Sequence, residues 1–262
     1  MSIDYHFDED TLSRVEDAGL NASAPPQQRW IDGWLVRFSP GKAKRARCIN
    51  AVAPGRLELQ HKLAACGQVF AEAHLPLVVR ITPFSQPDSL DRELDALGFA
   101  ALDDTRVMIC TELPRVGETG WPEGVGLHRL GHSAFAHTVG QLRGSPLAQQ
   151  QAHAQRLELS PVPFEGWALR RAADGLVFAC GQVAREGDIV GLYDVFTAPE
   201  SRGQGWSRRL CGELLARAAG QGARLAYLQV EADNAAARAV YRRLGFADGY
   251  AYHYRIPQGA PT

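Results

Sequence analysis

A glycine-rich turn between a strand and a helix constrains the fold of this chain more than any other feature. Residues 189–197 form an apolar strand pattern, and the turn Arg202-Gly203-Gln204-Gly205-Trp206-Ser207 then opens a helix with a buried stripe to about residue 219. The two glycines allow backbone conformations that a side chain opposes, and consecutive N–H groups at a helix start favour an anion. The turn predicts a phosphate or pyrophosphate site, the alternative being an arginine-rich helix start that binds nothing. It matches neither the dinucleotide fingerprint nor the P-loop.

A second feature is a pair of polar residues, seven positions apart, on the last predicted helix. Asn234 and Tyr241 are separated by almost two helical turns, so they share one face of that helix, ahead of Leu244, Gly245 and Phe246. A tyrosine hydroxyl can donate a proton to a leaving group, with an ordinary pKa near 10. The plainer interpretation of Tyr241 alone is a half-buried core aromatic.

The chain is long enough for two domains. It has 262 residues, 45% of them hydrophobic, and five glycines and prolines between positions 113 and 124 mark a boundary. We therefore predict domains at residues 1–116 and 117–262. The tetrapeptide Leu-Gly-Phe-Ala occurs at 97–100 and 244–247, each time after a short amphipathic helix and before a strand, which suggests a duplication.

Strand and helix patterns alternate in both halves and predict a mixed α/β fold. The predicted helices cover 56–73, 88–97, 133–159 with a break at Gly144-Ser145-Pro146, 205–219 and 235–244. The predicted strands cover 33–38, 48–52, 75–82, 106–111, 125–130, 167–171, 177–184, 189–197, 224–231 and 250–256.

Charge and composition exclude several classes of protein. The net charge of −1 gives no global basic field, so nucleic acid is not expected as a primary partner, and no apolar stretch is long enough to cross a membrane. The acidic N-terminus has no signal-peptide core, and the five scattered cysteines are expected to be reduced and buried, which together predict a cytoplasmic protein. His128, His132 and His137 lack a completing cysteine or carboxylate, so no metal site is predicted.

In their order and spacing, three motifs resemble the GNAT superfamily of acyl-CoA-dependent N-acetyltransferases over residues 125–256. They are Val195-x-Thr197, Arg202-Gly-x-Gly-x-Ser207 and Asn234-x6-Tyr241-x3-Gly245-Phe246. The resemblance implies a sheet that splays between the strand ending at Thr197 and the strand 224–231, with acetyl-CoA in the gap. Ser207 stands where the family most often has Gly or Ala, but serine is small enough to leave the N–H accessible.

The resemblance also implies roles for individual residues. Backbone groups of Val195, Phe196 and Thr197 would hold the pantetheine arm and the thioester, and Asn234 would contact the pantetheine side. The pyrophosphate would be held by the turn, that is by Arg202, Gly203, Gln204, Gly205, Trp206 and Ser207. Tyr241 would protonate the departing CoA thiolate.

The reaction implied by the resemblance is direct attack of a primary amine on the thioester, which needs a base because most amines are protonated near pH 7. Asp194 is the candidate base, since strand alternation places it with Leu192 and Phe196, opposite Tyr193 and Val195. A structural carboxylate is an equal alternative for Asp194. Glu231 or a water relay could serve as the base instead.

The N-terminal half lacks this chemistry. When Phe99 is aligned with Phe246, Leu94 stands in place of Tyr241 and Pro87 in place of Asn234, and no glycine turn precedes them. The layout resembles bacterial tandem GNAT proteins with a degenerate first domain. A non-catalytic acyl-CoA sensor is the alternative function, and near-neutral charge disfavours aminoacyl transfer from tRNA. The acceptor stays open, from a small amine to a peptide amine, as does the choice between monomer and homodimer.

Overall fold

A computed structural model describes residues 7–39, 43–114 and 122–259. The helices are α1 (Glu9–Ala22), α2 (Leu59–Glu72), α3 (Leu90–Ala96), α4 (His132–Leu142), α5 (Leu147–Glu158), α6 (Trp206–Gly220) and α7 (Ala235–Arg242). The strands are β1 (Gln28–Ile31), β2 (Trp34–Arg37), β3 (Ile49–Asn50), β4 (Val79–Ile81), β5 (Phe99–Cys110), β6 (Val125–Leu130), β7 (Phe164–Arg171), β8 (Val177–Glu186), β9 (Ile189–Thr197), β10 (Leu225–Glu231) and β11 (Ala247–Pro257).

The chain folds into two compact units, each built from two segments. The large unit contains residues 7–22 and 107–249, and the small unit contains residues 23–106 and 250–259. The segment 7–22 joins the large unit because α1 packs on β9, and the segment from residue 250 joins the small unit because β11 pairs with β4. The predicted boundary between residues 116 and 117 lies outside the described residues.

The large unit has helices on both faces of its sheet. The strands from β6 to β9 are antiparallel neighbours in chain order, and β10 pairs parallel with β9. One face packs against α6 and α7 through a cluster that includes Leu210, Leu214 and Phe246. The other face packs against α4 and α5 through Phe135, Val139 and Leu157. Burial of both faces explains why β8 and β10 are apolar on both sides.

The small unit has the strand order β1–β2–β3–β4–β11. Its β3 and β4 run parallel, and α2 connects them, while β11 is antiparallel to β4 with Tyr254 opposite Arg80. Apolar residues of α2 and α3 pack with Trp34, Ile49 and Val79 in a single core cluster. This core explains how a short sheet with two-residue and three-residue strands is stabilised.

The two halves of the chain repeat one order of elements. β3, α2, β4, α3 and β5 follow one another as β9, α6, β10, α7 and β11 do, and both central strand pairs are parallel. A glycine with positive φ follows the end of each short helix, Gly98 at 79° after α3 and Gly245 at 88° after α7. The repeated tetrapeptide therefore ends a helix in the same way in both halves, as αL glycines commonly do.

Most predicted elements are confirmed, with boundaries shifted by a few residues. The break at Gly144 to Pro146 does separate α4 from α5. Two elements, α1 and β1, were missed. The acidic start of α1 obscures a buried stripe that includes Leu12, Val15 and Ala22. All five cysteines are buried, with no disulfide in the described part of the chain. None of the described helices is both long and apolar enough to span a membrane.

Candidate functional site

The parallel strands β9 and β10 separate partway along their length. Their paired residues run from Ile189 opposite Leu225 to Leu192 opposite Leu228, and no pairing follows. Both strands nevertheless continue, β9 to Thr197 and β10 to Glu231. Backbone N–H and C=O groups of Val195, Phe196 and Thr197 are therefore not paired with β10. Such groups can bind an extended ligand.

A β-bulge lies on β9 where the strands separate. Gln182 pairs with Tyr193 and Cys180 with Phe196, so Asp194 and Val195 together stand opposite Gly181, and Asp194 has a φ of 49°. The bulge breaks the alternation assumed from the sequence. Leu192 and Val195 pack with the α6 cluster, whereas Tyr193 and Phe196 pack on the α4–α5 side.

The placement of Asp194 corrects the prediction from strand alternation. Its carboxylate contacts Arg143, the C-cap residue of α4, and His153 of α5. Asp194 therefore lies on the face of Tyr193 and Phe196, and not with Leu192. The local reason is the left-handed backbone at Asp194. The extra residue of the bulge shifts the alternation of side chains between the two faces by one residue.

The glycine turn is exposed and open at the start of α6. Gly203 and Gly205 have φ values of 76° and 82°, and a Cβ atom built on either would meet no atom within 4 Å. Residues 202–205 are exposed, and Ser207 is half-buried in the first turn of α6. The cap residue Gly205 carries no side chain, so no side-chain cap covers the helix N-terminus. These properties fit a phosphate group held by backbone N–H groups.

The side chain of Trp206 is packed into the protein, whereas those of Arg202 and Gln204 are exposed. Trp206 is buried and stacks on Phe178 with ring centroids 4.5 Å apart and an interplanar angle of 6°. Its indole Nε1 donates to Oε1 of Gln204 at 3.0 Å. Trp206 can therefore contribute its backbone N–H, but not its side chain, to an anion site. The guanidinium of Arg202 lies 5.7 Å from the centroid of the Phe196 ring.

The two predicted residues of α7 occupy different environments. Asn234 is the exposed N-cap, and its side chain accepts a hydrogen bond from the N–H of Ala237 at 3.1 Å. Tyr241 is buried in the α6–α7 cluster, to which Val195 also belongs, and meets Phe246 edge to face at 6.0 Å. Burial, together with the nearby Cys211, raises the pKa of the Tyr241 hydroxyl well above its ordinary value. The hydroxyl therefore remains protonated at neutral pH.

Asp194 lies in a network of four polar side chains. Its Oδ1 accepts from Nη1 of Arg143 at 2.9 Å, and its Oδ2 accepts from Nε2 of Gln182 at 2.7 Å. Nε2 of His153 lies 3.2 Å from the same Oδ2. Burial alone would raise the pKa of Asp194, but the contact with His153 and the charge of Arg143 outweigh it and hold that pKa well below its ordinary value. Asp194 is therefore ionised at neutral pH and a weak proton acceptor.

Arg143, His153 and Gln182 were missed from the sequence. Asp194 is 51 positions from Arg143 and 12 from Gln182, and no periodicity links such positions. The other candidate base, Glu231, is exposed at the end of β10. Two of the three histidines considered for zinc have other partners, since His132 contacts the carbonyl of Phe164 and His137 contacts Gln150.

The corresponding turn of the small unit is filled by the protein itself. The residues between β3 and α2 include Gly55, whose φ is 74°. The N–H groups of Arg56 and Leu57 donate to the carboxylate of Asp32 at 2.8–2.9 Å. A Cβ on Gly55 would lie 2.3 Å from Oδ2 of Asp32. This turn therefore has no opening like that at Gly203 and Gly205.

Comparison with known proteins agrees with this geometry. Residues 145–246 match the acetyltransferase (GNAT) family, a range that contains the bulge, the glycine turn, Asn234 and Tyr241. The chain is 26% identical to the uncharacterized N-acetyltransferase YobR of Bacillus subtilis (strain 168) over 252 residues, which cover 94% of this chain and 99% of that protein.

Solved structures extend the fold similarity to the whole chain. A GCN5-related N-acetyltransferase from Kribbella flavida superposes with a TM-score of 0.68 at 16% identity, covering 95% of this chain and 96% of that one. A tandem GNAT protein from the clavulanic acid biosynthesis pathway gives a TM-score of 0.63 at 16% identity, covering 97% of each chain. Residues 145–246 therefore match the acetyltransferase (GNAT) family, and the chain as a whole is similar in sequence to an N-acetyltransferase and has the fold of a tandem GNAT protein.

Proposed function

We propose that this protein transfers the acetyl group of acetyl-CoA to a primary amine. The observation that carries this proposal is the separation of β9 from β10 after Leu192 and Leu228, beside the exposed glycine turn that begins α6. An extended acyl-CoA molecule needs both features, an unpaired strand edge for the pantetheine arm and a helix N-terminus for the pyrophosphate.

The residues present fit acetyl-CoA. Backbone groups of Val195, Phe196 and Thr197 would bind the pantetheine arm, because β9 is unpaired with β10 over this length. The turn from Arg202 to Ser207 would hold the pyrophosphate, with Arg208 and Arg209 adding positive charge. Asn234 caps α7 through its carbonyl oxygen, which leaves its amide N–H groups for the pantetheine.

Tyr241 is proposed as the general acid. It belongs to the same cluster as Val195, on the α6 side of the sheet, so a thiolate leaving from beside Val195 would depart toward it. Because the pKa of Tyr241 is raised by burial, the hydroxyl carries its proton until the thiolate accepts it. The chain thus offers a proton donor on one face of β9 and the Asp194 network on the other.

The proposed acceptor side is the α4–α5 face of β9. The amine must lose a proton before it attacks the thioester. Asp194 is oriented toward that face, but its contact with His153 and the charge of Arg143 lower its pKa, so its carboxylate is a weak direct proton acceptor. We therefore assign Asp194 a part in amine activation that acts through a neighbouring group.

The test measures acetyl-CoA binding and thiol release separately. Isothermal calorimetry gives the Kd for acetyl-CoA, and a thiol reagent follows CoA release with a panel of aliphatic amines, amino acids, aminoglycosides and lysine-containing peptides. Amine-dependent release with an acetylated product seen by mass spectrometry supports the proposal. Tight binding without release for any amine would indicate an acyl-CoA sensor, and absence of binding would reject both functions.

A further inference from the structure

The network around Asp194 contains a histidine that the family-derived roles do not use. Nε2 of His153 is buried and lies 3.2 Å from Oδ2 of Asp194. The imidazole ring also meets Phe135 edge to face at 6.2 Å, and Phe135 is fully buried. The carboxylate and the aromatic ring together fix the position of the imidazole.

This network is not fully satisfied in the described part of the chain. Nε2 of His153 and Oε1 of Gln182 are both buried and make no aligned hydrogen bond there, although Gln182 is only 1% exposed. Buried polar atoms without partners are rare and call for an explanation. Catalytic hydrogen bonds are often long or misaligned until substrate binds. The unsatisfied atoms lie around Asp194, the bulge residue next to Val195, where the thioester would bind.

We propose that His153 is the general base of the reaction and that Asp194 positions it, an inference that rests on the proposed function. With Nε2 directed at Asp194, Nδ1 carries the lone pair that accepts a proton. Arg143 and Gln182 in turn hold the carboxylate, through Oδ1 and Oδ2 respectively. Asp194 is thus a positioning residue, and His153 the group that meets the amine.

Acetyl transfer forms one carbon–nitrogen bond, breaks one carbon–sulfur bond and removes two protons from the acceptor ammonium. The ammonium form of the acceptor gives one proton to Nδ1 of His153, and the neutral nitrogen then forms a bond to the thioester carbonyl carbon. The carbon–sulfur bond breaks, and the sulfur takes the hydroxyl proton of Tyr241. The second nitrogen proton returns to Tyr241 through solvent, while His153 releases its proton to solvent.

An imidazole suits this role better than the carboxylate beside it. Histidine is the side chain whose ordinary pKa lies closest to neutral pH, so it can exchange protons there. The contact with His153 and the charge of Arg143 keep the Asp194 carboxylate ionised, so it can stabilise an imidazolium that develops at His153. The other charged groups near Asp194 and His153 are Arg143, the C-cap residue of α4, and Arg156 on α5.

One further titratable group, Cys180 on β8, acts electrostatically on the same network. Burial raises the pKa of its thiol to about 12, so the thiol stays neutral at neutral pH.

The test compares three variants with one matched control. His153→Gln should lower kcat by about 10²-fold to 10⁴-fold, the range for loss of a general base. Its Kd for acetyl-CoA should stay within about twofold of the wild-type value, since His153 is not proposed to contact the cofactor. His137→Gln, which alters another histidine of the α4–α5 pair, should leave kcat unchanged.

Two further measurements separate a base from a structural histidine. Added imidazole should restore part of the turnover of His153→Ala but not that of Asp194→Ala. In the unliganded full-length protein, 15N NMR should find the proton of neutral His153 on Nε2.

The outcomes distinguish this inference from the proposed function. If wild-type protein transfers acetyl groups and folded His153→Gln does so at the same rate and with the same pH profile, the dyad is wrong and the proposed function stands. A neutral His153 protonated on Nδ1 also overturns the dyad. If no amine releases CoA from the wild-type protein, the proposed function is wrong and the dyad falls with it.

Discussion

Nζ of Lys62 lies 3.1 Å from Oδ2 of Asp32, and this ion pair closes the turn that precedes α2. Lys62 is almost fully buried and also lies 4.7 Å from the centroid of the Trp34 ring. The small unit therefore places its own carboxylate at a helix start, the position that the large unit leaves open at Gly203 and Gly205. An internal anion at a helix N-terminus removes the main attraction for an external phosphate.

Asp32→Asn should destabilise the small unit in a pH-dependent way. Hydrogen bonds from the N–H groups of Leu57 and Arg56 lower the pKa of Asp32 to about 2, below its value in the unfolded chain, near 3.9. The stabilisation is therefore complete above about pH 4 and is lost as pH falls toward 2. Thermal unfolding from pH 2 to 7 should show a Tm deficit of the variant at pH 7 that shrinks below pH 4.

Glu58→Gln is the matched control for this experiment. Glu58 is the N-cap residue of α2 and makes no side-chain cap hydrogen bond, so the substitution removes a charge near the same helix without removing those bonds. A Tm deficit equal to that of Asp32→Asn, with the same pH dependence, would contradict the assigned role of Asp32.

Gly205→Ala should weaken acetyl-CoA binding by about tenfold or more, equivalent to at least about 1.4 kcal/mol. The φ of 82° is strained for alanine, at a cost in the free energy of unfolding of about 1–3 kcal/mol, and the added methyl group enters the open space of the turn. Calorimetry with acetyl-CoA and urea unfolding measure the two effects.

Gly187→Ala separates strain from binding. Gly187 lies in the β8–β9 turn with a φ of 60° and, like Gly205, has no atom within 4 Å of a built Cβ. The control should lose similar stability and keep its affinity for acetyl-CoA. Equal affinity losses in the two variants would show that strain alone accounts for the effect.

Tyr241→Phe should reduce kcat by at least about 10²-fold and leave the Kd for acetyl-CoA within about twofold, because only the proton donor is removed. Burial raises the pKa of Tyr241, so the wild-type rate should show no loss from its ionisation below about pH 10. Steady-state kinetics from pH 6 to 10 measure both. Tyr254→Phe, at a buried tyrosine of β11, serves as the control, and turnover of Tyr241→Phe equal to it would exclude Tyr241 as the acid.

Two glycine-to-alanine variants should change stability in opposite directions. A Cβ on Gly191 of β9 would lie 2.5 Å from Cε2 of Tyr193 and 2.7 Å from Cζ of Tyr227, whose hydroxyls are themselves 2.6 Å apart. Gly191→Ala should lower the free energy of unfolding by about 1–3 kcal/mol through overpacking. Gly67→Ala in α2 meets no atom within 4 Å and should raise it by about 0.5–1 kcal/mol. Urea unfolding of both variants gives the signs directly, and equal signs would refute this account of packing.

Short-range sequence patterns predicted much of the secondary structure. The helix predicted over 205–219 and the break at Gly144 to Pro146 follow from short-range periodicity and turn residues, and the structure confirms them. The order of motifs likewise predicted the GNAT superfamily. The roles of Asp194 and Tyr241 and of the cofactor-binding residues stay predictions, for which the experiments above are designed.

The sequence by itself determined most of the helices and strands and the position of the glycine turn, because each depends on residues within a few positions of one another. Tertiary structure alone decided the rest. β11 leaves its own repeat to pair with β4, Asp32 reaches the turn at Arg56 and Leu57, and the bulge turns Asp194 toward Arg143 and His153. These relationships join positions 24 to 176 residues apart or depend on a single positive φ, and hydrophobic patterning specifies neither strand partners nor such backbone reversals.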